Sequence, residues 1–275
     1  MSRSYSLSFL TVAEASPVEA VEIAAACGYD YVGLRILPAA ASGEAAYPLL
    51  HDEALLREVQ AALRDTGVKV ADVEIVRLKD SYSNDGFKPF VERAAALGAA
   101  HVLVAGDDTD AARLQDSYAE FCQLASEFNL TADLEFMPWT AVKNLRQARA
   151  IVEHSGASNA GVLLDSLHFA RSDSTLAEIA ALPSDMIHYI QLCDAYTKYD
   201  PSDEGLIVVA RGARLLPGSG ELDLLSFAQL IDEGKPIGLE IPNTELAQHF
   251  KPQQRAQMAI DQAKKLLATA AVGGE

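Results

Sequence analysis

The sequence predicts a single (β/α)8 barrel of the α/β class, and three observations support this fold. Short apolar runs alternate with longer amphipathic runs eight times along 275 residues, as expected for parallel βαβ units. The apolar runs have two hydrophobic faces, which is typical of strands covered by helices. A doubly wound sheet is the alternative, but it usually has a glycine-rich phosphate turn after its first strand. The segment SFLTVAEASP contains no glycine.

Each predicted strand is an apolar run bounded by turn residues or a helix. In chain order these runs are SYSLSFL (4–10), YDYVGLRIL (29–37), VADVEIVRL (70–78), AHVLVAG (100–106), TADLEFM (131–137), VLLDSLHFA (162–170), MIHYIQLCD (186–194) and PIGLEIP (236–242).

The predicted helices have apolar residues at helical spacing, and several end at glycine. Ser16 can cap the first helix with Pro17 at its first position, and Gly28 ends it. The helices are expected over 16–28, 52–67, 87–98, 110–129, 140–156, 175–183, 222–234 and 252–270. A long polar loop is expected between the seventh strand and residue 222. No domain linker interrupts the pattern, so one barrel domain is expected over 1–275, with a flexible tail at 271–275.

Composition excludes several classes of function. With 22 basic against 39 acidic residues the net charge is −17, and no basic run exceeds two residues. A nucleic-acid-binding face is therefore not expected, although a few arginines can still line a pocket for an anionic substrate. The sequence has neither a signal-peptide apolar region nor a run of ~18 apolar residues, so we expect a cytoplasmic protein without membrane association. The acidic surface is compatible with a homo-oligomer.

The three cysteines, Cys27, Cys122 and Cys193, have no CxxC spacing. This argues against a disulfide framework or a zinc knuckle. Each is expected to be a small buried residue.

Polar side chains lie inside or just beyond four consecutive strands. In a parallel barrel the carboxyl ends of the strands meet at the active site, and a lone buried carboxylate is unfavourable unless it is paired or binds a metal. Glu135, Asp165, Gln191 and Glu240 therefore form a candidate oxygen ligand set for one divalent ion. Mg²⁺ or Mn²⁺ is expected, and Co²⁺ or Zn²⁺ are further candidates. The alternative is that these residues cap strands or pair with helix N-termini.

Other residues near the same strand ends are candidates for acid–base chemistry and substrate binding. His168 lies three residues after Asp165 and has a side-chain pKa near working pH. Asp194 is a candidate to orient a neighbouring ligand, or it forms a strand-end turn. Arginines suit a substrate carboxylate or phosphate, and the candidates are Arg214, Arg211, Arg77 and Arg35.

The segments DLEFMPW, VLLDSLHF, YIQLCDA, RLLPGSGELDL and IGLEIP, in that order, resemble the xylose isomerase-like TIM-barrel superfamily. That group includes sugar and sugar-phosphate isomerases and epimerases, inosose and dehydroshikimate dehydratases, and endonuclease IV enzymes. The resemblance implies the same four metal ligands and a substrate contact for His168. It also implies that Glu135 and Glu240 serve as catalytic bases.

Within the superfamily, two positions favour one branch and a third departs from it. Many sugar epimerases of the group have His where this chain has Gln191, and the Gln together with Arg214 is closer to the dehydroshikimate dehydratases. That branch tends to have Ser four residues before the arginine, and here the residue is Ala210. The endonuclease type needs several additional His ligands and a basic face, which six His and the net charge disfavour.

Isomerisation, epimerisation and removal of water all begin with loss of a proton beside a metal-bound carbonyl. The sequence therefore predicts a metal-dependent isomerase or epimerase acting on a small polyhydroxylated carbonyl compound. A dehydroshikimate dehydratase-like lyase is the alternative. A catalytically silent sugar- or metal-binding barrel is the third interpretation.

Overall fold

The computed structural model describes residues 3–38 and 47–272, which form a closed parallel barrel. Its strands follow chain order around the barrel, and the first pairs with the last to close it. The predicted (β/α)8 fold is confirmed. The strands, β1 to β8, are Tyr5–Leu7, Tyr31–Arg35, Lys69–Leu78, His101–Gly106, Thr131–Glu135, Ala160–Asp165, Ile190–Leu192 and Ile237–Leu239.

The helices of the described chain surround this barrel. In chain order, α1 to α11 are Pro17–Cys27, Glu53–Thr66, Asn84–Ala96, Ala111–Ser126, Leu145–Ser155, Ser166–Arg171, Leu176–Ala180, Asp203–Gly212, Leu224–Gln229, Thr244–His249 and Pro252–Val272.

Helix α1 begins and ends where the sequence predicted. The Ser16 hydroxyl accepts a hydrogen bond from the Glu19 N–H, and the Glu19 side chain accepts one from the Ser16 N–H. Pro17 is the first helical residue, and Gly28 ends the helix in the left-handed region at φ 76°. This capping box and left-handed glycine satisfy backbone groups that a bare helix end leaves unpaired.

Two predictions near the carboxyl end of the barrel are wrong. The expected loop before residue 222 contains α8, whose first turn carries Asp203 and Glu204 and is capped by Ser202. The run VLLDSLHFA is not one strand: β6 ends at Asp165, and the next six residues form α6. Acidic first-turn residues and a serine cap are the signals of a helix start that a polar composition obscures.

The core fills the space between barrel and helices. A smaller apolar cluster occupies the inside of the barrel, where Leu103, Leu163 and Tyr189 are almost fully buried. The tail expected over 271–275 lies outside the described residues from 273 onward, and residues 271 and 272 end α11. Among the helices that the structure describes, none is long and apolar enough to cross a bilayer.

Candidate metal centre

The four predicted oxygen ligands lie at the carboxyl end of neighbouring strands. Glu135 and Asp165 are the last residues of β5 and β6, Gln191 is the middle residue of β7, and Glu240 directly follows β8. All four are buried, at 4%, 0%, 0% and 3% exposure. We call them the oxygen ring. The Gln191 amide Nε2 donates a hydrogen bond of 3.1 Å to Glu240 Oε1, so two members are in direct contact.

Asp165 has a structural role besides its place in the ring. Its Oδ1 atom accepts hydrogen bonds from the backbone N–H groups of Leu167, at 2.7 Å, and His168, at 3.0 Å. This cap starts α6 immediately after β6, and it turns His168 back toward β5. The His168 Nε2 atom consequently lies 3.6 Å from Glu135 Oε1. The cap that Asp165 provides for α6 therefore positions both the Asp165 carboxylate and the His168 imidazole.

Arg214 lies within the oxygen ring. Its guanidinium is 2% exposed; Nη1 pairs with Asp165 Oδ2, and Nη2 pairs with Glu240 Oε2 at 2.9 Å. The Nε atom donates to the Ala210 carbonyl at 2.9 Å, which fixes the side chain against the end of α8. The sequence predicted Arg214 as a substrate-binding residue, whereas the structure gives it two carboxylate partners of the chain itself.

Burial dominates the protonation of the ring. It raises the pKa of Glu135 well above its ordinary value, and the charges of Asp165 and Glu240 raise it further. Burial also raises the pKa of Glu240 to about 7, against the opposing effect of Arg214. Burial raises the pKa of Asp165 too, but Arg214 and His168 outweigh it and leave that pKa below its usual range. Burial lowers the pKa of His168 to about 4, so its imidazole is neutral at neutral pH.

The ring has the chemical features of a divalent cation site. Among the described residues, Glu135 Oε1 and Gln191 Oε1 are buried without any hydrogen-bond partner. Ionisation of all three carboxyl groups against one guanidinium would leave two negative charges in a buried volume, which is unfavourable without a further cation and explains the raised pKa values of Glu135 and Glu240. Oxygen donors of this kind suit a hard or borderline divalent ion. The residues therefore fit the predicted metal.

Of the other three predicted substrate-binding arginines, two form ion pairs with carboxylates of the chain and one forms none with a described residue. Arg35 donates through Nε, at 3.1 Å, and Nη2, at 2.5 Å, to Glu74 Oε2. Arg77 makes a two-pronged pair with Asp107 at 2.6 and 2.7 Å. Arg211, in the last turn of α8, is exposed and makes no ion pair with a described residue. Of these three, Arg211 can bind a substrate anion without losing an internal partner.

The cavity at the ring is small and shares lining residues with two larger ones. A space of about 60 Å³ is lined by Glu135, His168, Arg211, Arg214 and Glu240 among others. This volume holds an ion or a few water molecules. A second cavity of about 330 Å³ shares Ile75 and Arg77 with it, and a third of about 410 Å³ shares Arg35. A substrate of several carbon atoms would extend into one of these neighbouring spaces.

Asp194 holds a loop, and its hydrogen bonds with described residues do not reach the oxygen ring. Its Oδ2 atom accepts hydrogen bonds from the N–H groups of Gly218 and Gly220, at 3.0 and 2.9 Å. Its Oδ1 atom accepts from Ala195 and Leu222. The structure thus places Asp194 beneath the PGSG turn that follows Arg214.

Two further residues lie near the site. Asp72, on β3, is buried, and burial and the charge of Glu74 raise its pKa well above its ordinary value. Trp139 packs edge-on against His168, with ring centroids 5.0 Å apart. The alternation of Asp72 and Glu74 along β3 was a usable signal for two inward acids, and the position of Trp139 just beyond the end of β5 indicates from the sequence that it packs beside the pocket.

Comparison with known proteins assigns the fold to a family. A model described as the xylose isomerase-like TIM barrel matches residues 21–268, and the chain belongs to this family. The 3-dehydroshikimate dehydratases of Pseudomonas aeruginosa and Pseudomonas putida are each 26% identical to it over 266 residues. These alignments cover 90% of this chain and 39% of each relative, so the chain spans about two-fifths of their length.

Solved structures share the same architecture. The IolI protein with a bound zinc atom aligns with a TM-score of 0.79 at 20% identity, covering 97% of this chain and 99% of that one. D-allulose 3-epimerase from Methylomonas sp. aligns with a TM-score of 0.69 at 16% identity, over 97% and 99% of the two chains. At these identities the similarity establishes the fold.

Proposed function

We propose that this protein is a metal-dependent dehydratase that acts on a small hydroxylated ketone carrying a carboxylate, of the 3-dehydroshikimate type. The observation that carries the proposal is the oxygen ring, with a neutral histidine and two arginines beside it. The order of the sequence-based candidates is reversed, because the two dehydratase relatives align over 90% of this chain. A sugar isomerase or epimerase becomes the second candidate.

The oxygen ring, Glu135, Asp165, Gln191 and Glu240, would hold the metal. Mg²⁺ or Mn²⁺ is expected there, and Co²⁺ or Zn²⁺ are further candidates; a zinc atom is bound in the IolI neighbour. When bound, it would polarise the substrate carbonyl and so acidify the adjacent C–H bond. Asp165 Oδ2 and Glu240 Oε2 each contact Arg214, but each carboxylate oxygen has two acceptor positions. A lone pair on each oxygen therefore remains for the metal.

The chain's own residues then move the proton. Glu135 would be ionised once the metal is bound, and because its Oε1 atom has no hydrogen-bond partner among the described residues, it could then remove the proton beside the carbonyl. His168 Nε2 is 3.6 Å away and can pass that proton to the leaving hydroxyl group. One C–H and one C–O bond break, a C=C bond forms, and water leaves, so atoms and charge balance without a further reactant.

Binding of the carboxylate is assigned to Arg211. It lines the cavity of the ring and is exposed, whereas Arg214 is held by Asp165 and Glu240. A guanidinium binds a carboxylate through two parallel hydrogen bonds, which fixes the orientation of the substrate. This side chain would hold the hydroxylated carbon toward His168.

The second candidate function rests on the pair of glutamates. Glu135 at the end of β5 and Glu240 after β8 lie on different sides of the barrel mouth, and burial raises the pKa of both. Two carboxyl groups that flank one carbon can remove a proton from one face and return it to the other. This arrangement suits epimerisation of a ketose.

One experiment separates these candidates. The purified protein is chelated, reloaded with Mg²⁺, Mn²⁺, Co²⁺ or Zn²⁺, and incubated with 3-dehydroshikimate or with ketoses in D₂O. A new aromatic product, followed by absorbance, supports the dehydratase; deuterium in a ketose without loss of water supports the epimerase. If neither occurs while the protein binds a sugar or the metal, the silent barrel is correct.

The same assay tests the ring through a matched pair of variants. Glu240→Gln removes a carboxylate that would hold the metal and should reduce turnover by more than the ~10–100-fold that loss of an outer partner of a metal ligand costs. Glu245→Gln, an exposed residue of α10, makes the same chemical change outside the ring and should retain turnover. Equal activity of the two variants would refute the assignment.

A further inference from the structure

A second cluster of metal-ligand side chains lies deeper in the barrel, toward its amino-terminal end. His101 is the first residue of β4, and Asp133 is in the middle of β5. His188 lies two residues before the start of β7. One ligand atom from each lies within 4.8 Å of the others. His188 Nδ1 is 2.6 Å from Asp133 Oδ1, and His101 Nδ1 is 3.8 Å from Asp133 Oδ2. We call this group the His–Asp–His cluster.

We propose that the His–Asp–His cluster binds a divalent transition metal of the zinc class, at a site separate from the oxygen ring. Two imidazole nitrogens and one carboxylate oxygen are donors that Zn²⁺, Co²⁺ and Ni²⁺ favour over Mg²⁺. Tetrahedral coordination with bonds of about 2.0–2.1 Å places donor atoms about 3.3 Å apart. One donor atom of each residue already lies within 4.8 Å of the others, so side-chain rotations of about an ångström bring three donors to one ion.

The barrel wall is shaped to admit these donors. Gly161 lies beside the cluster on β6, and a Cβ atom there would be 2.5 Å from His188 Nδ1 and 2.6 Å from Asp133 Oδ1. Any other residue would displace both donors. Asp133 is fully buried, whereas the side chains of His101 and His188 are 14% and 15% exposed. An ion can therefore enter from the solvent side of the two imidazoles and keep an outward position for water.

Neighbouring groups hold the three side chains of the His–Asp–His cluster close together in the absence of metal. The Thr131 hydroxyl donates to Asp133 Oδ2 at 2.5 Å and lies 2.8 Å from His101 Nδ1. The His101 ring is stacked between His188 and Tyr189, with centroid distances of 5.9 and 4.9 Å. Metal binding would replace the His188–Asp133 and His101–Thr131 hydrogen bonds, and it would join β4, β5 and the start of β7.

The cluster is distinct from the oxygen ring although both use β5. Asp133 and Glu135 are two residues apart, which corresponds to ~6.6 Å along a strand. The buried side chains of Leu103 and Leu163 follow His101 and Gly161 at the same spacing on the neighbouring strands. The proposal does not rest on the proposed function, because a metal count requires no substrate.

The test measures Zn²⁺ bound per chain by equilibrium dialysis and metal analysis. His188→Gln and His101→Gln should each bind one equivalent less than the unmodified protein. His154→Gln, which changes a half-exposed histidine of α5, should bind the same amount as the unmodified protein. Equal zinc content in all four proteins would overturn the proposal.

A second measurement uses the unmodified protein, so a variant that fails to fold leaves the proposal testable. In a ¹⁵N spectrum of the six histidine rings, Zn²⁺ should shift the Nδ1 signals of two rings together, in proportion to metal added. If no imidazole nitrogen becomes coordinated, then His188 and Asp133 form only the hydrogen-bonded pair seen here, and the proposal is wrong.

Discussion

Replacing Arg214 with methionine is expected to destabilise the metal-free protein strongly. Arg214 is buried between Asp165 and Glu240, and methionine keeps much of its volume while removing the charge and both ion pairs. Removing one partner of a buried ion pair costs about 3–5 kcal/mol, because the remaining carboxylates lose their compensating charge. For a domain of this size each kcal/mol lowers Tm by about 2–4 °C.

Divalent metal should restore part of that stability. A ligand that binds only the folded state at 100 times its Kd stabilises it by about 2.7 kcal/mol. The variant ring carries one more uncompensated negative charge than the original, so its metal affinity should be higher. Adding Mn²⁺ or Zn²⁺ should therefore reduce the difference in unfolding free energy between the unmodified protein and Arg214→Met by about 0.5–3 kcal/mol. This is the usual range of the coupling energy between groups in contact.

The assay is urea unfolding followed by circular dichroism, once with chelator and once with excess metal. Arg255→Met is the matched control: Arg255 is also buried, but it bonds to the Thr11 and Phe250 carbonyls and to Glu14, outside the ring. The control should be destabilised and should gain the same increment from metal as the unmodified protein. If metal stabilises Arg214→Met no more than Arg255→Met, the oxygen ring is not where the metal binds.

Three further outcomes are expected. Trp139 is the only tryptophan of the sequence and touches His168, so titration with metal or substrate should change its fluorescence, and an unchanged spectrum would contradict a bound ligand there. Burial raises the pKa of the Cys122 and Cys193 thiols to about 12, so thiol reagents at pH 8 should label them only after unfolding; rapid labelling of the native protein would disprove their burial. Asp194→Ala leaves several loop N–H groups unpaired and should lower the unfolding free energy by about 2–3 kcal/mol, measured by urea unfolding; a change below about 0.5 kcal/mol would show that the loop does not depend on it.

The barrel and the oxygen ring could be predicted because both follow from periodicity and topology. Eight alternations of strand and helix specify parallel units, and parallel closure brings the ends of β5 to β8 to one mouth. An acid at the end of an apolar run, such as Glu135 or Asp165, is then a candidate metal ligand even when the predicted end of the strand is wrong by one or two residues. The placement of Gln191 and Glu240 follows by the same reasoning.

What the sequence did not predict depends on contacts between distant segments. Arg214 reaches the ring because α8 and the turn held by Asp194 bring it over the barrel mouth, and α8 itself was hidden in a polar stretch. The His–Asp–His cluster joins residues of β4, of β5 and of the segment just before β7, which are at least 32 positions apart in the chain. No spacing rule for metal ligands applies to such a set, so only the folded chain brings it together.

The central claim is that the oxygen ring supports metal-dependent proton abstraction, and metal rescue of turnover tests it most directly. The rate of aromatic product formation from 3-dehydroshikimate is measured on the chelated protein, before and after divalent metal is added. We predict no turnover without metal, restored turnover with it, and no restoration in Glu240→Gln. Turnover that persists after chelation, or that Glu240→Gln retains in full, would contradict the account.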